Sequence, residues 1–534
     1  MMRPAYAMNQ ALQTKSGTWT LSLADLAATE NLGRVLAEEL RSGDLVTLSG
    51  GLGSGKTTLA RMIIRALADD AALEVPSPTF TLMQTYDTVR GPVVHADLYR
   101  IGGPGELTEL GWEEAAEQAI LLVEWPERAG GALGTSRLDV ALALVPGAPE
   151  ARTATLTATG SFAPRLMRMK ALQNLIEGAG WADATRVRLQ GDASTRAYER
   201  LVKPSGETAI LMIAPPRPDG PPVRRGKPYS AIAKLAESVH AFVAVDRGLR
   251  ALGLSAPKIY AEDLEVGLLL LEDLGGGAVT EAQLPIPGCY LEAARLLAKL
   301  HTTTLPTVLP VTEGRDHALP AYDMEALLIE VELLADWYAP HRAGLTLSGS
   351  VRAEFIRLWR GALAEIVVAP ATWTLRDYHS PNLIWLPERK GLQRVGLLDF
   401  QDAVLGHPAY DVVSLLQDAR VAVTSDLELK LLSAYARDRK AAEPDFDMTA
   451  FARAYAILGA QRATKVLGIF ARLDRRDGKP QYLKHLPRIE ATLARNLRHP
   501  ALAELRGWYE THLPRLWSAA AVQSDNVRPQ AGSP

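Results

Sequence analysis

LVTLSGGLGSGKTT (residues 45–58) decides the fold of the first part of this chain. Leu45, Val46 and Leu48 make a short apolar run that ends at glycines, which reads as a buried strand. Past the glycines, Leu59, Met62, Ile63 and Leu67 recur at helical spacing. Gly50 to Thr57 fits G-x-x-x-x-G-K-[ST], so strand, glycine loop and helix follow in the order of a phosphate-binding loop. The chemistry needs each part. Gly50, Gly51, Leu52, Gly53, Ser54, Gly55 and Thr58 offer backbone N–H groups to phosphate oxygens. The helix N-terminus adds its partial positive charge. Lys56 reaches the β- and γ-phosphates, and the Thr57 hydroxyl binds magnesium.

Around this loop, residues 18–145 alternate apolar runs with helical patterns, as in PVVHADLY (92–99) and AILLVEWPE (119–127). Such alternation predicts an α/β sheet. ARTATLTATG (151–160) alternates in period two and reads as a last, edge-like strand, with SFAPR (161–165) as a short linker. Asp97 and Glu124 each end an apolar run. Either acid caps a strand or pairs with Arg100 or Arg128; beside a phosphate loop, Glu124 is a candidate magnesium ligand and Asp97 a candidate for positioning water.

GGLGSGKTT, SPTFTL (77–82), HADLYR (95–100) and VEWPER (123–128), in this order, resemble TsaE, the small ATPase of bacterial tRNA threonylcarbamoyladenosine synthesis. The resemblance covers about residues 18–160. It implies an α/β P-loop NTPase domain in which Thr57 and Glu124 bind magnesium, Asp97 supports hydrolysis and Thr29 approaches the nucleotide. It also implies partners, the TsaD and TsaB subunits of the transferase, with tRNA involved only indirectly.

The second part of the chain carries a different pattern. Asp377, Asn382 five residues later, and Asp399 at the end of the apolar run VGLLD form a phosphotransfer constellation. Asp377 is placed to accept the substrate hydroxyl proton, and Asn382 and Asp399 to hold the metal that bridges ATP phosphates. Singly, an Arg-Asp pair is a turn and an amide after proline is a turn amide; the full set at this spacing is not. Asp411 reads as a brace for the catalytic loop, and His379 as a structural histidine. Strands are expected at RVRLQ, TAILMIA and GLLLLED, a single long helix over 229–252, and a flap over the Pro/Gly/Arg-rich stretch 215–228. From about 288 helical patterns dominate.

GDASTRAYER (191–200), LLLEDLG (269–275), LRDYHSPNL (375–383) and LDFQDAVLGHPAYD (398–411) resemble the aminoglycoside-phosphotransferase-like kinases, closest to the N-acetylmuramate/N-acetylglucosamine kinases (AmgK type). The resemblance implies an α+β protein-kinase-like fold of two lobes. Gly191, Asp192, Ser194 and Arg196 then belong to a hairpin over the nucleotide, and Glu272 and Leu274 to the hinge that meets adenine. One departure stands out. Met212 occupies the position where protein kinases carry the phosphate-binding lysine; Arg196, Arg224, Arg225 and Lys227 are the available replacements. A pseudokinase, or a kinase for an aminoglycoside, choline or a protein, therefore stays open, as does a nucleotide-gated binding role for the first domain.

The expected organisation is a P-loop domain over 18–160, a linker over 161–168, a sheet-containing lobe over 169–276, a helical lobe over 277–518 and a disordered tail over 519–534. The length of 534 residues and 47% hydrophobic content suffice for several cores and exclude collagen, coiled coil and disorder throughout. A formal charge of -3 and a mean hydropathy of -0.01 argue against a general nucleic-acid coat and against a membrane protein. Cys289 is the single cysteine, which fits a reducing compartment. A cytoplasmic enzyme using ATP and Mg2+, with no membrane partner and a small amino sugar as acceptor, is the expectation. Residues 461–498 hold ten Lys/Arg against three acids, either a solvated face or an anion-binding surface.

Overall fold

The computed structural model describes residues 17–103, 105–109, 112, 118–189, 196–216, 220–514 and 516. The chain forms two units that divide between Gly178 and Ala179.

The first unit is built on a seven-stranded sheet: β1 (Gly17–Leu23), β2 (Leu45–Ser49), β3 (Met83–Thr88), β4 (Gly91–Asp97), β5 (Ile120–Glu124), β6 (Leu138–Val145) and β7 (Ala148–Ala158), in the order β1-β7-β6-β2-β5-β4-β3. β2 pairs in parallel with both β5 and β6, and β4 in parallel with β5. These strands read as unbroken apolar runs because both faces are covered: Val46, Leu48, Ile120 and Leu122 are buried in one core, and Leu45, Leu121 and Val123 in another. The register sets Glu124 opposite both Leu48 and Asp97, so the carboxyl ends of the three strands converge. α1 (Leu26–Glu39) and α2 (Lys56–Ala68) complete the layer. Their approach is close enough that a Cβ on Gly33 would meet the Cβ of Met62 at 2.7 Å.

Two expectations change here. β7 is not an edge strand, since it is laddered to β1 on one side and β6 on the other; the edges are β1 and β3. A Thr-rich alternation reports one solvated face but not whether both flanks are paired. The segment 161–168 is not a linker, and the second unit does not begin at 169. Residues 163–178 form a helix, α3 (Ala163–Gly178), in the first unit. Phe162, Leu166 and Met169 join that unit's core. Arg165 holds the Asp44 carboxylate with both guanidinium nitrogens at 2.7 and 2.5 Å, and Arg168 meets Glu39 at 2.9 Å.

The second unit opens with a five-stranded antiparallel sheet, β8 (Thr185–Leu189), β9 (Ala197–Val202), β10 (Thr208–Ile213), β13 (Ile259–Asp263) and β14 (Leu268–Glu272), in the order β13-β14-β10-β9-β8. Residues of the proposed flap form a hairpin, β11 (Pro222–Arg224) and β12 (Lys227–Pro228), which is anchored: Arg224 grips Glu332 at 2.7 and 2.8 Å. The expected single helix over 229–252 is two, Tyr229–Ala233 and α4 (Val239–Ala251), broken where Lys234 takes φ 58°. The helical part includes α5 (Pro287–Thr302), α6 (Met324–Leu333), α7 (Ala409–Leu416), α8 (Met448–Asp477) and α9 (Leu486–Asn496). Short strand pairs frame the segment that carries Asp377: β15 (Thr372–Thr374) with β18 (Val404–Gly406), and β16 (Leu383–Trp385) with β17 (Val395–Leu397). Tyr338, Trp508 and Tyr509 are core residues; Trp508 packs 4.5 Å from Phe355. The tail over 519–534 lies outside the described residues.

Candidate active sites

In the first unit, β2 delivers the glycine loop and α2 starts immediately after it. Gly50 takes φ 136°, and a Cβ there would stand 2.2 Å from the Leu142 carbonyl oxygen, so only glycine fits. Gly55, at φ 104°, caps α2. Arg152 on β7 braces the loop by donating from Nε to the Ser54 carbonyl at 3.0 Å. The Ser54 hydroxyl is buried without a partner among the described residues. Lys56 Nζ donates to the Gly50 and Gly51 carbonyls at 3.0 Å each and lies 3.8 Å from the centre of the Trp125 ring. Burial pushes the Lys56 ammonium below its ordinary pKa, against the pull of Glu124, Asp97 and Glu127.

The two acids converge with this loop. Thr57 donates its hydroxyl to Glu124 at 2.9 Å, and the other Glu124 oxygen meets His95 Nε2 at 2.9 Å. Asp97 accepts from the hydroxyls of Ser77 and Thr79 at 3.0 Å each, and from the Tyr99 backbone N–H at 3.0 Å. Thr57 and Glu124 thus present two hard oxygen donors side by side, the donor type magnesium takes. Leu52 is exposed at the loop tip, and Thr58 lies in the first turn of α2. Thr29 is placed less directly: its hydroxyl donates to the Asp25 carbonyl in its own helix turn, at 3.2 Å. His95, Ser77, Thr79 and Arg152 were not singled out from sequence; the first three lie inside the SPTFTL and HADLYR motifs, whereas nothing local marks Arg152.

In the second unit, the catalytic segment is tied down before it reaches Asp377. The Asp411 carboxylate at the start of α7 accepts the backbone N–H groups of Leu375 and Arg376 at 2.7 and 2.9 Å, the expected brace. Arg376 takes φ 67° and Asp399 φ 55°, left-handed conformations that cost about 1–2 kcal/mol each for residues with a Cβ. The Arg376 guanidinium is buried against Glu330 at 2.5 Å; Glu330 also receives Lys465 at 2.7 Å and Gln461 at 3.1 Å from α8. Asp418 accepts the Ser380 hydroxyl at 2.8 Å. Asn382 donates Nδ2 to the Asp377 carbonyl at 2.9 Å, which commits its nitrogen and leaves the amide oxygen as the group for a cation. Asp399 meets Gln401 at 2.7 Å and Arg196 at 3.3 Å.

Asp377, Asn382, Asp399, Arg196, Asp418 and Lys465 line a cavity of about 600 Å³ that extends to Phe470 and Tyr482. Burial pushes the Asp377 carboxyl up, but Arg462, then His379, Lys465 and Arg376, hold it down at about 2. Arg462 lies 3.8 Å from Asp377 and His379 3.9 Å, with His379 Nδ1 buried and without a hydrogen-bond partner among the described residues. Part of the basic run at 461–498 therefore faces a cavity and not solvent. Arg196 is the one candidate for the missing lysine that lines this cavity; Arg224 and Arg225 are engaged with Glu332 and Glu325. Met212 is wholly buried in the core. At the hinge, the Glu272 N–H donates to the Lys258 carbonyl at 2.7 Å, its carboxylate meets Arg389 at 2.5 Å, and Leu274 is buried. Gly191, Asp192 and Ser194 lie outside the described residues.

The profile described as "Threonylcarbamoyl adenosine biosynthesis protein TsaE" matches residues 23–149, and that described as "Phosphotransferase enzyme family" matches residues 185–451. An N-acetylmuramate/N-acetylglucosamine kinase of Caulobacter vibrioides is 41% identical over 347 residues, which is 63% of this chain and 94% of that protein. A tRNA threonylcarbamoyladenosine biosynthesis protein TsaE of Rickettsia prowazekii is 41% identical over 99 residues, 18% of this chain and 68% of that protein. A crystal structure of a putative aminoglycoside phosphotransferase from Ralstonia eutropha, 18% identical, covers 66% of this chain and 98% of that one at a TM-score of 0.40. This chain is a fusion that belongs to the TsaE family through its first unit and to the phosphotransferase enzyme family, in its N-acetylmuramate/N-acetylglucosamine kinase branch, through its second.

Proposed function

We propose that the second unit transfers the γ-phosphoryl group of ATP to the anomeric hydroxyl of N-acetylmuramate or N-acetylglucosamine, and that the first hydrolyses ATP in support of tRNA threonylcarbamoyladenosine synthesis. The observation that carries the kinase reading is the placement of Asp377, Asn382 and Asp399 together on one cavity wall. The sugar oxygen attacks the γ-phosphorus, the bond to the β–γ bridging oxygen breaks, and ADP leaves with that electron pair. The sugar proton passes to Asp377. A carboxylate held at about 2 is a weak base. It orients the hydroxyl through a hydrogen bond and takes the proton late, as a loose phosphoryl-transfer transition state requires. Asn382 and Asp399 would hold a magnesium ion whose charge offsets that of the phosphates, and Arg196, beside Asp399, would take over the phosphate contact of the absent lysine.

In the first unit, the same logic has Thr57 and Glu124 hold magnesium and Asp97, fixed by Ser77, Thr79 and Tyr99, position water. His95 fixes the Glu124 carboxylate. Docking on TsaD- and TsaB-like subunits, with no direct contact to tRNA, and a cytosolic setting follow from this reading. Among the described residues no helix is long and apolar enough to cross a membrane.

The test uses the full chain with ATP, magnesium and a panel of N-acetylmuramate, N-acetylglucosamine, kanamycin and choline, with product read by mass. Sugar-1-phosphate is expected from the wild type, and a rate lower by about three orders of magnitude or more from Asp377→Ala of unchanged circular dichroism. A folded, active Asp377→Ala sinks the mechanism.

A further inference from the structure

The cavity of the second unit extends well beyond the phosphotransfer groups, and its far end has a chemistry of its own. Its cationic lining consists of Arg196, Arg420, Arg462 and Lys465. Three of these face carboxylates: Arg196 faces Asp399 at 3.3 Å, Arg462 faces Asp377 at 3.8 Å and Lys465 faces Glu330 at 2.7 Å. The Arg420 side chain forms no ion pair or hydrogen bond among the described residues, although its charge helps to hold the Asp418 carboxyl down. It lies 6.0 Å from the ring centres of both Phe470 and Tyr482, which pack 5.1 Å apart.

The backbone at Arg420 is tied to the segment that carries Asp377. Its backbone N–H donates to Asp418 Oδ1 at 2.9 Å, and the other Asp418 oxygen accepts the Ser380 hydroxyl, three residues from Asp377. Arg488 supports the same loop from α9 by donating to the Ala419 carbonyl at 3.3 Å. One carboxylate thus links the catalytic segment to the loop that carries Arg420. The hinge residues Glu272 and Leu274 do not line this cavity, whereas α8 and α9 do, so its far end belongs to the acceptor and not to adenine. A guanidinium without an ion-pair partner among the described residues, set beside two packed aromatic rings, is a site for an anion with an apolar stem.

We propose that Arg420 is the specificity-determining residue that binds the carboxylate on the acceptor sugar's ether substituent, while Phe470 and Tyr482 pack against that substituent. This rests on the amino-sugar kinase reading above and deepens it. N-acetylmuramate carries such a carboxylate and N-acetylglucosamine does not. The guanidinium therefore favours the first over the second through a charge-assisted contact that the smaller sugar cannot make.

The experiment compares kcat/KM for the two sugars in the full-length wild type, Arg420→Gln and Arg420→Lys. For Arg420→Gln, the ratio of N-acetylmuramate to N-acetylglucosamine is expected to fall roughly 10- to 100-fold, chiefly through KM for N-acetylmuramate. Arg420→Lys keeps the charge and is expected to restore part of the ratio. A ratio unchanged in Arg420→Gln, or an equal loss on both sugars, overturns the assignment of Arg420 and leaves the kinase reading standing. A wild type that phosphorylates neither sugar overturns the kinase reading, and this proposal with it.

Discussion

Asp246 shows how far one side chain can depart from ordinary behaviour without touching the chemistry. It sits on α4, is 1% exposed, and neither carboxylate oxygen has a hydrogen-bond partner among the described residues. Desolvation pushes it up to about 7, against the pull of Arg250 and Arg247. The sign of the consequence is fixed by linkage. The folded state keeps the proton up to about pH 7, whereas the unfolded chain releases it near pH 4. Folding therefore loses stability as pH rises between these values. Asp246→Leu is expected to stabilise the second unit, by on the order of 2–3 kcal/mol more at pH 8 than at pH 5. Urea midpoints at the two pH values measure this, and an equal gain at both contradicts it. The left-handed Arg376 and Asp399 make the opposite case: strain held in place, by Glu330 and Asp411 for Arg376, and spent at the site.

Among the elements, α3 departs furthest from the sequence expectation. Its sequence reads as a helix, but it has no strong apolar stripe to announce which body it covers. The structure supplies the partners: the core under Phe162, Leu166 and Met169, and the carboxylates of Asp44 and Glu39. Burial of three such side chains contributes several kcal/mol at about 1.5–3 kcal/mol each. Ending the first unit at residue 160 exposes that core and leaves Asp44 unpaired. A 1–178 fragment is expected to unfold cooperatively, and a 1–160 fragment to melt about 10 °C lower or more, or to aggregate. Equal melting temperatures would place the boundary back at 160. α8 plays the corresponding part in the second unit. Its Gln461 and Lys465 reach Glu330, and its Arg462 reaches Asp377, so one helix fixes the catalytic segment and charges the cavity wall.

The whole molecule carries two candidate active sites on two separate hydrophobic cores, one around Val46, Leu59 and Leu138, the other around Tyr290, Trp359 and Tyr410. Each site draws its residues from its own unit. Thr57→Ala is therefore expected to lower nucleotide hydrolysis by the first unit about 100-fold or more while sugar phosphorylation stays within about twofold. Parallel assays of phosphate release without sugar and of sugar-1-phosphate read the two activities. Loss of both would show that the sites are energetically coupled.

The sequence by itself determined the two fold families and marked most of the candidate site residues. Lys56, Thr57, Asp377, Asn382 and Asp399 sit in short motifs whose spacing is dictated by local backbone geometry: a loop around phosphate, a turn between two short strands. The acids Asp97 and Glu124 were legible for the same reason, as the ends of apolar strands. Only the tertiary structure decided what depends on contacts far apart in the chain. The pairing of β7 on both flanks, the docking of α3, the bracing of the loop by Arg152, and the placing of Arg196 on the cavity while Arg224 and Arg225 pair with Glu332 and Glu325 are of this kind. So is the split of the basic run into buried cavity residues and solvated ones. A lysine or arginine carries the same charge on either face of a helix, and only the packing of α8 against the catalytic segment tells which face meets a carboxylate and which meets water.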